Sequence, residues 1–236
     1  MNLILLFPED FISETSIRLA GRRLEHIRSI HRASVGAQLC VGIAGGRIGT
    51  GTVTSLDQTF LEMEAHLEDQ PPVPISLTLL LALPRPKIFR RVMRSVTALG
   101  VKRIILFNSF RVEKSYWQSP LLEKDALREQ LILGLEQAKD TIFPEVLFRP
   151  LFKPFVEDEL PDLVKGSRAF VAHPSASTPC PVNVKDPVTL AIGPEGGFIP
   201  YEIEKLKKCG FTPIQMGSRI LSVETAVPAL IARIAL

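Results

Sequence analysis

The chain has 236 residues, 46% of them hydrophobic and 22% charged, with a formal net charge of +3. Such a composition supports one large core or two modest ones and excludes the disordered and collagenous classes. No run of about 18 uninterrupted apolar residues occurs, so no membrane-spanning helix is expected. Cys40, Cys180 and Cys209 lie far apart without a Cys-x-x-Cys pair, and His26, His31, His66 and His173 lack ligand spacing. Neither a disulfide framework nor a metal site is expected.

In chain order, the opening MNLILLFPEDF is apolar without a basic lead-in, and Glu9 and Asp10 follow at once. It reads as a buried first strand over residues 3–7 rather than a signal peptide, and a cytoplasmic protein is expected. Arg18 and Leu19 lead into a short helix around residues 22–30. Residues 38–43, 47–56 and 59–67 cluster β-formers between glycine-containing turns, the pattern of a small barrel. Residues 68–75, EDQPPVPI, read as a linker stiffened by Pro71, Pro72 and Pro74.

After the linker, residues 76–83 form a nearly continuous apolar run, the signature of a strand buried on both faces. Phe89, Val92, Met93, Val96 and Leu99 recur at helical spacing, and Gly100 sits where a glycine ends a helix. Residues 101–107 are the next strand and 120–139 a longer amphipathic helix. Strands follow at 169–172 and 188–192, then a helix begun by Pro200 and closed by Gly210. A short strand at 213–216 and an apolar helix at 224–236 end the chain. This alternation predicts a mainly parallel α/β sheet.

Two charge runs stand out. Residues 18–32 carry Arg18, Arg22, Arg23, Arg28 and Arg32 against Glu25, and residues 85–94 carry Arg85, Lys87, Arg90, Arg91 and Arg94 with no acid. Each is either a phosphate-binding footprint or a solvated helix face.

Two glycine-bearing segments carry the chemistry. The first runs Ala191, Ile192, Gly193, Pro194, Glu195, Gly196, Gly197, Phe198, where a strand ends and a helix is about to start. Ligands in open α/β sheets sit outside the carboxyl ends of strands, and glycines let a backbone approach them closely. The alternative is a tight turn with Glu195 favourably placed near a helix amino end. The second runs from Met216 and Gly217 through Ser218, Arg219, Ile220, Leu221, Ser222, Val223, Glu224, Thr225 to Ala226. It is either a main-chain cradle for a flat heterocycle or a turn in which Ser222 or Thr225 caps a helix.

Together the two segments resemble the cofactor loops of SPOUT methyltransferases, most closely the RsmE family of ribosomal RNA uracil-N3 methyltransferases. The resemblance covers nearly the whole chain, with further likeness at residues 22–36, 79–84 and 97–101. It implies a PUA-like RNA-binding β-barrel over residues 1–70, a linker at 71–75, and a SPOUT α/β domain with a carboxyl-terminal trefoil knot over 76–236. It implies S-adenosylmethionine as cofactor, held mostly by backbone groups of Leu81, Ala82, Leu83, Pro84, His173, Pro174, Gly193, Pro194, Glu195, Gly196, Gly197, Met216, Gly217, Ser222, Thr225 and Ala226. Ile192, Ile220 and Leu221 would wall the adenine, and His173 is either structural or a side-chain contact. A homodimer and ribosomal RNA or the small subunit are the implied partners. Arg219 is the candidate for stabilising charge on a deprotonated uracil, or else an ion-pair partner of Glu195 or Glu224. Arg22, Arg23, Arg28, Arg32, Arg85, Lys87, Arg90, Arg91 and Arg94 are the candidate RNA contacts.

The chain departs from the family pattern at Ser222 and Val223, at Arg94 and Ser95, at Ala138, Lys139 and Asp140, and in lacking an arginine in MNLILLF. Cofactor-loop residues are kept better than those expected to touch RNA. The same fold and cofactor acting on another RNA base, and a non-catalytic RNA-binding assembly factor, are therefore the alternatives.

Overall fold

The computed structural model describes residues 2–236, a mixed α/β chain. It divides into two compact units. One comprises the residues up to Val73 together with Ile132–Phe143; the other comprises Pro74–Leu131 and Pro144–Leu236.

The first unit is built on a five-stranded sheet of order β1-β3-β4-β5-β2. β1 (Ile4–Leu6) runs parallel to β3 (Gln38–Ile43), whereas β4 (Ile48–Leu56), β5 (Leu61–Asp69) and β2 (Ser16–Leu19) pair antiparallel. In β5, Leu61, Met63 and Ala65 are buried while Glu62, Glu64 and His66 alternate with them on the other face, as the two-residue period of a strand requires. Register shifts in the β4–β5 ladder between Ile48 and Gly49 and between Val53 and Ser55 bend the sheet. Both edges consequently share one core: Ile4 and Leu6 of β1 pack in the same cluster as Ile17 and Leu19 of β2, with Leu24 and Ile27 among them. Gly49 is required at the crossing with β5, because a Cβ there would lie 1.8 Å from the His66 carbonyl oxygen.

β2 was not anticipated from sequence. Its Ser16-Ile17-Arg18-Leu19 alternation spans only four residues, too few for periodicity to separate a strand from a lead-in. The expected helix divides into α1 (Gly21–His26) and a π-helical turn, Ile27–His31, which Arg32 ends at φ 50°. β5 also reaches Asp69, so the ladder extends into the start of the proline-rich stretch.

The second unit holds a seven-stranded, all-parallel sheet of order β10-β12-β9-β11-β6-β7-β8. Its strands are β6 (Leu77–Ala82), β7 (Arg103–Phe107), β8 (Glu145–Arg149), β9 (Arg168–Ala172), β10 (Thr178–Pro179), β11 (Val188–Ile192) and β12 (Thr212–Gln215). β6 lies between β11 and β7, which explains its nearly unbroken apolar run. The helices are α2 (Pro86–Ala98), α3 (Lys124–Ala138), α4 (Phe152–Pro154), α5 (Leu160–Leu163), α6 (Pro200–Lys208) and α7 (Val223–Ala235); a π-helical turn, Phe155–Glu159, joins α4 to α5. The chain crosses between the units inside α3.

Besides the two-residue edge strand β10, three features of this unit escaped the sequence reading. β8 is a short edge strand whose residues are only half buried, so it lacks the continuous apolar run of an interior strand. The α4–α5 segment is interrupted by Pro154 and Pro161, and Phe155, Val156 and Leu160 anchor it. α3 begins at Lys124 rather than 120, after two 3₁₀ turns at Lys114–Gln118 and Pro120–Leu122. No helix among the described residues is long and apolar enough to cross a membrane, and none of their His, Cys, Asp and Glu side chains group as a metal site.

Candidate functional site

Because all strands of the larger sheet are parallel, the loops leaving the carboxyl ends of β9, β11 and β12 emerge on one side. They enclose a cavity of about 330 Å³. One wall is the turn after β11, from Ile192 to Phe198. The segment after β12, Met216, Gly217, Arg219, Ile220 and Leu221, lines the cavity as well, together with Val223, Ala226 and Leu230 of α7 and with His173 and Pro174. The two glycine-bearing turns thus line one space.

Their backbones are shaped for it. Gly197 closes the first turn by donating its N–H to the Pro194 carbonyl at 2.8 Å, and its φ of +71° is one that side-chain-bearing residues resist. Gly217 stands at φ +111°, fixed by a hydrogen bond from its N–H to the Gln215 side-chain oxygen. Gly193 allows Phe198 to fold back, since a Cβ at 193 would lie 3.1 Å from the Phe198 nitrogen; the Phe198 ring stacks on Phe107 at 6.0 Å. The main-chain N–H groups of Glu195, Gly196, Ser218, Arg219, Ile220 and Leu221 have no hydrogen-bond partner among the described residues. Free donors beside an apolar lining of Ile192, Ile214 and Leu221 suit a ligand with a flat apolar part and several acceptors.

The acidic side chains near the cavity are already engaged. Glu195 accepts from the Arg85 main-chain N–H at 3.0 Å, with the Arg85 Nε 3.8 Å away. Glu224 accepts from Arg91 at 3.1 Å. Arg219 lines the cavity, and no acid among the described residues pairs with it. His173 donates its N–H to the Ile214 carbonyl at 2.9 Å. Its Nδ1 lies 3.3 Å from the Ser175 nitrogen and 3.2 Å from the Ser175 hydroxyl, and burial lowers its pKa. Burial thus favours the neutral ring, whose Nδ1 accepts from the Ser175 N–H.

Some candidates lie behind the cavity rather than in its wall. Leu81, Ala82, Leu83 and Pro84 are buried at the end of β6, with Leu81 opposite Ile192 in register. None of the four lines the cavity; they back the strand that carries the first turn. Ser222 and Thr225 bond to each other through their hydroxyls at 3.0 Å, and the Ser222 carbonyl accepts the N–H groups of Thr225 and Ala226. They start α7 beside the cavity, and neither side chain caps it.

Lining residues that the sequence reading missed are Ala172, Ile214, Gln215 and Leu230; Phe198 and Val223 lie within the two glycine-bearing segments. All but Gln215 are apolar residues inside strands or a helix, indistinguishable in sequence from core. Two supporting residues were also missed. Arg111 donates a hydrogen bond to the Gly196 carbonyl. Buried Glu202 accepts from the Phe110 N–H at 2.7 Å and the Ile199 N–H at 3.0 Å.

The nine basic candidates separate by what holds them. Arg23 is largely enclosed, bonded to both Asp10 carboxylate oxygens at 2.5 and 2.6 Å and to the Leu5 carbonyl at 3.0 Å; it builds the first unit. Arg22 pairs with buried Glu136 at 3.1 Å, and Arg94 donates to Gln130 at 2.8 Å. Arg85 and Arg91 are tied to Glu195 and Glu224 but remain exposed. Arg28, Arg32, Lys87 and Arg90 are exposed.

Residues 71–235 match the model of a family described as an RNA methyltransferase domain. The ribosomal RNA small subunit methyltransferase E of Treponema pallidum is 27% identical over 235 residues, covering 97% of this chain and 88% of that protein. The protein of the same name from Mesomycoplasma hyopneumoniae is 31% identical over 164 residues, 66% of this chain and 68% of its own. Among solved structures, that of ribosomal RNA small subunit methyltransferase E from Neisseria gonorrhoeae bound to S-adenosyl methionine superposes with a TM-score of 0.75 at 20% identity, over 98% of this chain and 95% of that one. The fold is shared with that structure.

Proposed function

The chain belongs to the RNA methyltransferase domain family, and from that premise we propose that it transfers a methyl group from S-adenosylmethionine to N3 of a uridine in small-subunit ribosomal RNA. The single observation carrying the reading is the convergence of the two glycine-bearing turns on one cavity with unbonded main-chain N–H groups on both. The relatives, named as ribosomal RNA small subunit methyltransferases, supply the substrate class, and the solved neighbour bound to S-adenosyl methionine supplies the cofactor.

The cavity fits such a group. Glu195, Gly196, Ser218, Arg219, Ile220 and Leu221 present free main-chain donors to its polar atoms, and Ile192, Ile214 and Leu221 receive an adenine face. When bound, S-adenosylmethionine supplies an electrophilic methyl carbon on a sulfonium that departs as a neutral thioether. The chain's task is then alignment of the nucleophile and care of one proton. Uracil N3 gives its proton to solvent water, and the charge left on the ring oxygens is stabilised by the unpaired Arg219 guanidinium until N3 takes the methyl group. His173 fixes the loop between β9 and β10. Arg85, Lys87, Arg90 and Arg91 hold phosphates, which adds affinity without reading sequence.

The same reading extends to architecture. The first unit serves as a PUA-like RNA-binding barrel, with Arg28 and Arg32 outward. The carboxyl-terminal segment is threaded as a trefoil knot, as the resemblance of the two glycine-bearing segments to SPOUT methyltransferases implies. The chain works as a cytoplasmic homodimer.

Nucleoside mass analysis of small-subunit RNA from cells with and without the protein tests the proposal. One N3-methyluridine is expected to vanish on deletion and return on complementation. An unchanged nucleoside profile overturns it; loss of another methylated base keeps the methyl transfer and changes the target.

A further inference from the structure

One turn beside the cavity is held rigidly yet presents a large apolar ring to water. Phe110 is 77% exposed, although the turn around it is pinned at four points. The Asn108 N–H donates to the Arg149 carbonyl at 3.0 Å, the Phe110 N–H to buried Glu202 at 2.7 Å, and Arg111 to the Gly196 carbonyl; Val112 is buried. Glu202 also holds the Ile199 N–H at 3.0 Å, directly after the turn that lines the cavity. Phe110 is thus fixed relative to the Gly193 to Gly197 wall. Trp117 joins the same loop through its Nε1–H to the Asn108 side-chain oxygen at 3.1 Å, and Arg111 and Lys114 are exposed basic residues of the loop, beside one exposed acid, Glu113.

A fixed aromatic face beside basic side chains is the arrangement that binds single-stranded nucleic acid, by stacking the bases and neutralising the phosphates. We propose that Phe110 is a stacking platform for an unpaired nucleobase of the RNA that enters the cavity, with Arg111 and Glu202 as the residues that position it. The inference deepens the reading of the cavity as a methyl-transfer site on RNA and rests on it for the direction from which RNA arrives. A base, rather than a second copy of the chain, is the chosen occupant because Arg111, next to the ring, and Lys114 attract phosphates and outnumber the loop's one exposed acid, Glu113.

The test uses the full chain without S-adenosylmethionine and two labelled probes, an oligouridylate and an abasic ribose-phosphate chain of equal length, read by fluorescence anisotropy. Stacking on one aromatic is worth about five- to a hundredfold in affinity per base. The wild type is expected to prefer the oligouridylate by about that margin, with quenching of Trp117, the sole tryptophan. Phe110→Ala is expected to lose the preference, to keep its affinity for the abasic chain, and to bind S-adenosylmethionine as the wild type does; Phe110→Trp is expected to restore the preference. An intact preference in Phe110→Ala overturns the proposal. So does conversion of a dimer to monomers by Phe110→Ala with the preference intact, since the ring then faces another copy. A wild type that fails to bind S-adenosylmethionine, but loses base preference on Phe110→Ala, supports the platform and removes the methyl-transfer reading instead.

Discussion

Arg91 of α2 donates to the Glu224 carboxylate of α7 at 3.1 Å, and the Arg85 main chain holds Glu195 at 3.0 Å. These two bonds occupy the acids of both glycine-bearing segments and leave the Arg219 guanidinium facing the cavity without a carboxylate partner. An unpaired arginine in a partly apolar cavity is available to an anion that forms there during reaction. Arg219→Ala is expected to lower kcat by about a hundredfold or more, the scale for loss of a charge-stabilising donor, with S-adenosylmethionine affinity changed little. Single-turnover kinetics alongside calorimetry separates the two effects; equal losses in binding and rate would make Arg219 a cofactor contact instead.

Gly196 lies where a Cβ would come within 2.9 Å of the Arg111 side chain, and its own N–H is unbonded. Gly196→Leu drives its side chain into Arg111, so Arg111 or the turn must shift. Loss of S-adenosylmethionine binding by at least about a hundredfold is expected, with unchanged circular dichroism because φ at this position is ordinary for a side chain. Retained binding would mean that the turn does not face the ligand.

Buried Glu202 accepts two partly buried N–H groups, those of Phe110 and Ile199. Its replacement by alanine leaves both donors unsatisfied, at a cost of about 2–4 kcal/mol. Urea denaturation is expected to show that loss, and Glu202→Gln, which keeps one acceptor oxygen, about half of it.

Glu136 is 1% exposed. Burial raises its pKa, while the charges of Arg22 and Arg23 and hydrogen bonds from the Arg22 side chain and the Leu5 main chain oppose part of the rise. A carboxyl whose pKa is higher folded than unfolded favours folding below the unfolded pKa, and that contribution disappears as pH rises through the folded pKa. The thermal midpoint of the wild type should therefore fall across that window, and that of Glu136→Gln should fall less. Arg22→Ala is expected to steepen the dependence and to cost about 1–3 kcal/mol at neutral pH, below the value for a fully buried pair because Arg22 is half exposed. A pH profile identical in all three proteins would contradict the assignment.

The sequence was most legible where the pattern was long. The apolar run of β6, the helical spacing of α2 and the proline and glycine bounding α6 all lie within a few residues of their expected places. Short or edge elements left no comparable trace: Ile17 and Leu19 are the only inward residues of β2, and β8 is half exposed along its length. In the candidate site, glycines marked both turns because chain geometry demands them at Gly197 and Gly217. Ala172, Ile214 and Leu230 line the same cavity but serve equally as core, so residue type alone could not separate lining from packing. The positions of Arg23 and Glu202 were beyond reach for a different reason. Each is a charged residue whose role is set by partners, Asp10 and the Phe110 and Ile199 main chains, that only folding brings near.

Calorimetric titration of the folded wild-type chain with S-adenosylmethionine tests the central claim most directly, because it needs no knowledge of the RNA. A saturable exothermic isotherm with one site per chain is the predicted result, since main-chain donors satisfied by the ligand contribute enthalpy. A flat trace with millimolar ligand would mean that the two turns do not grip the donor, and the proposed function would fall with them.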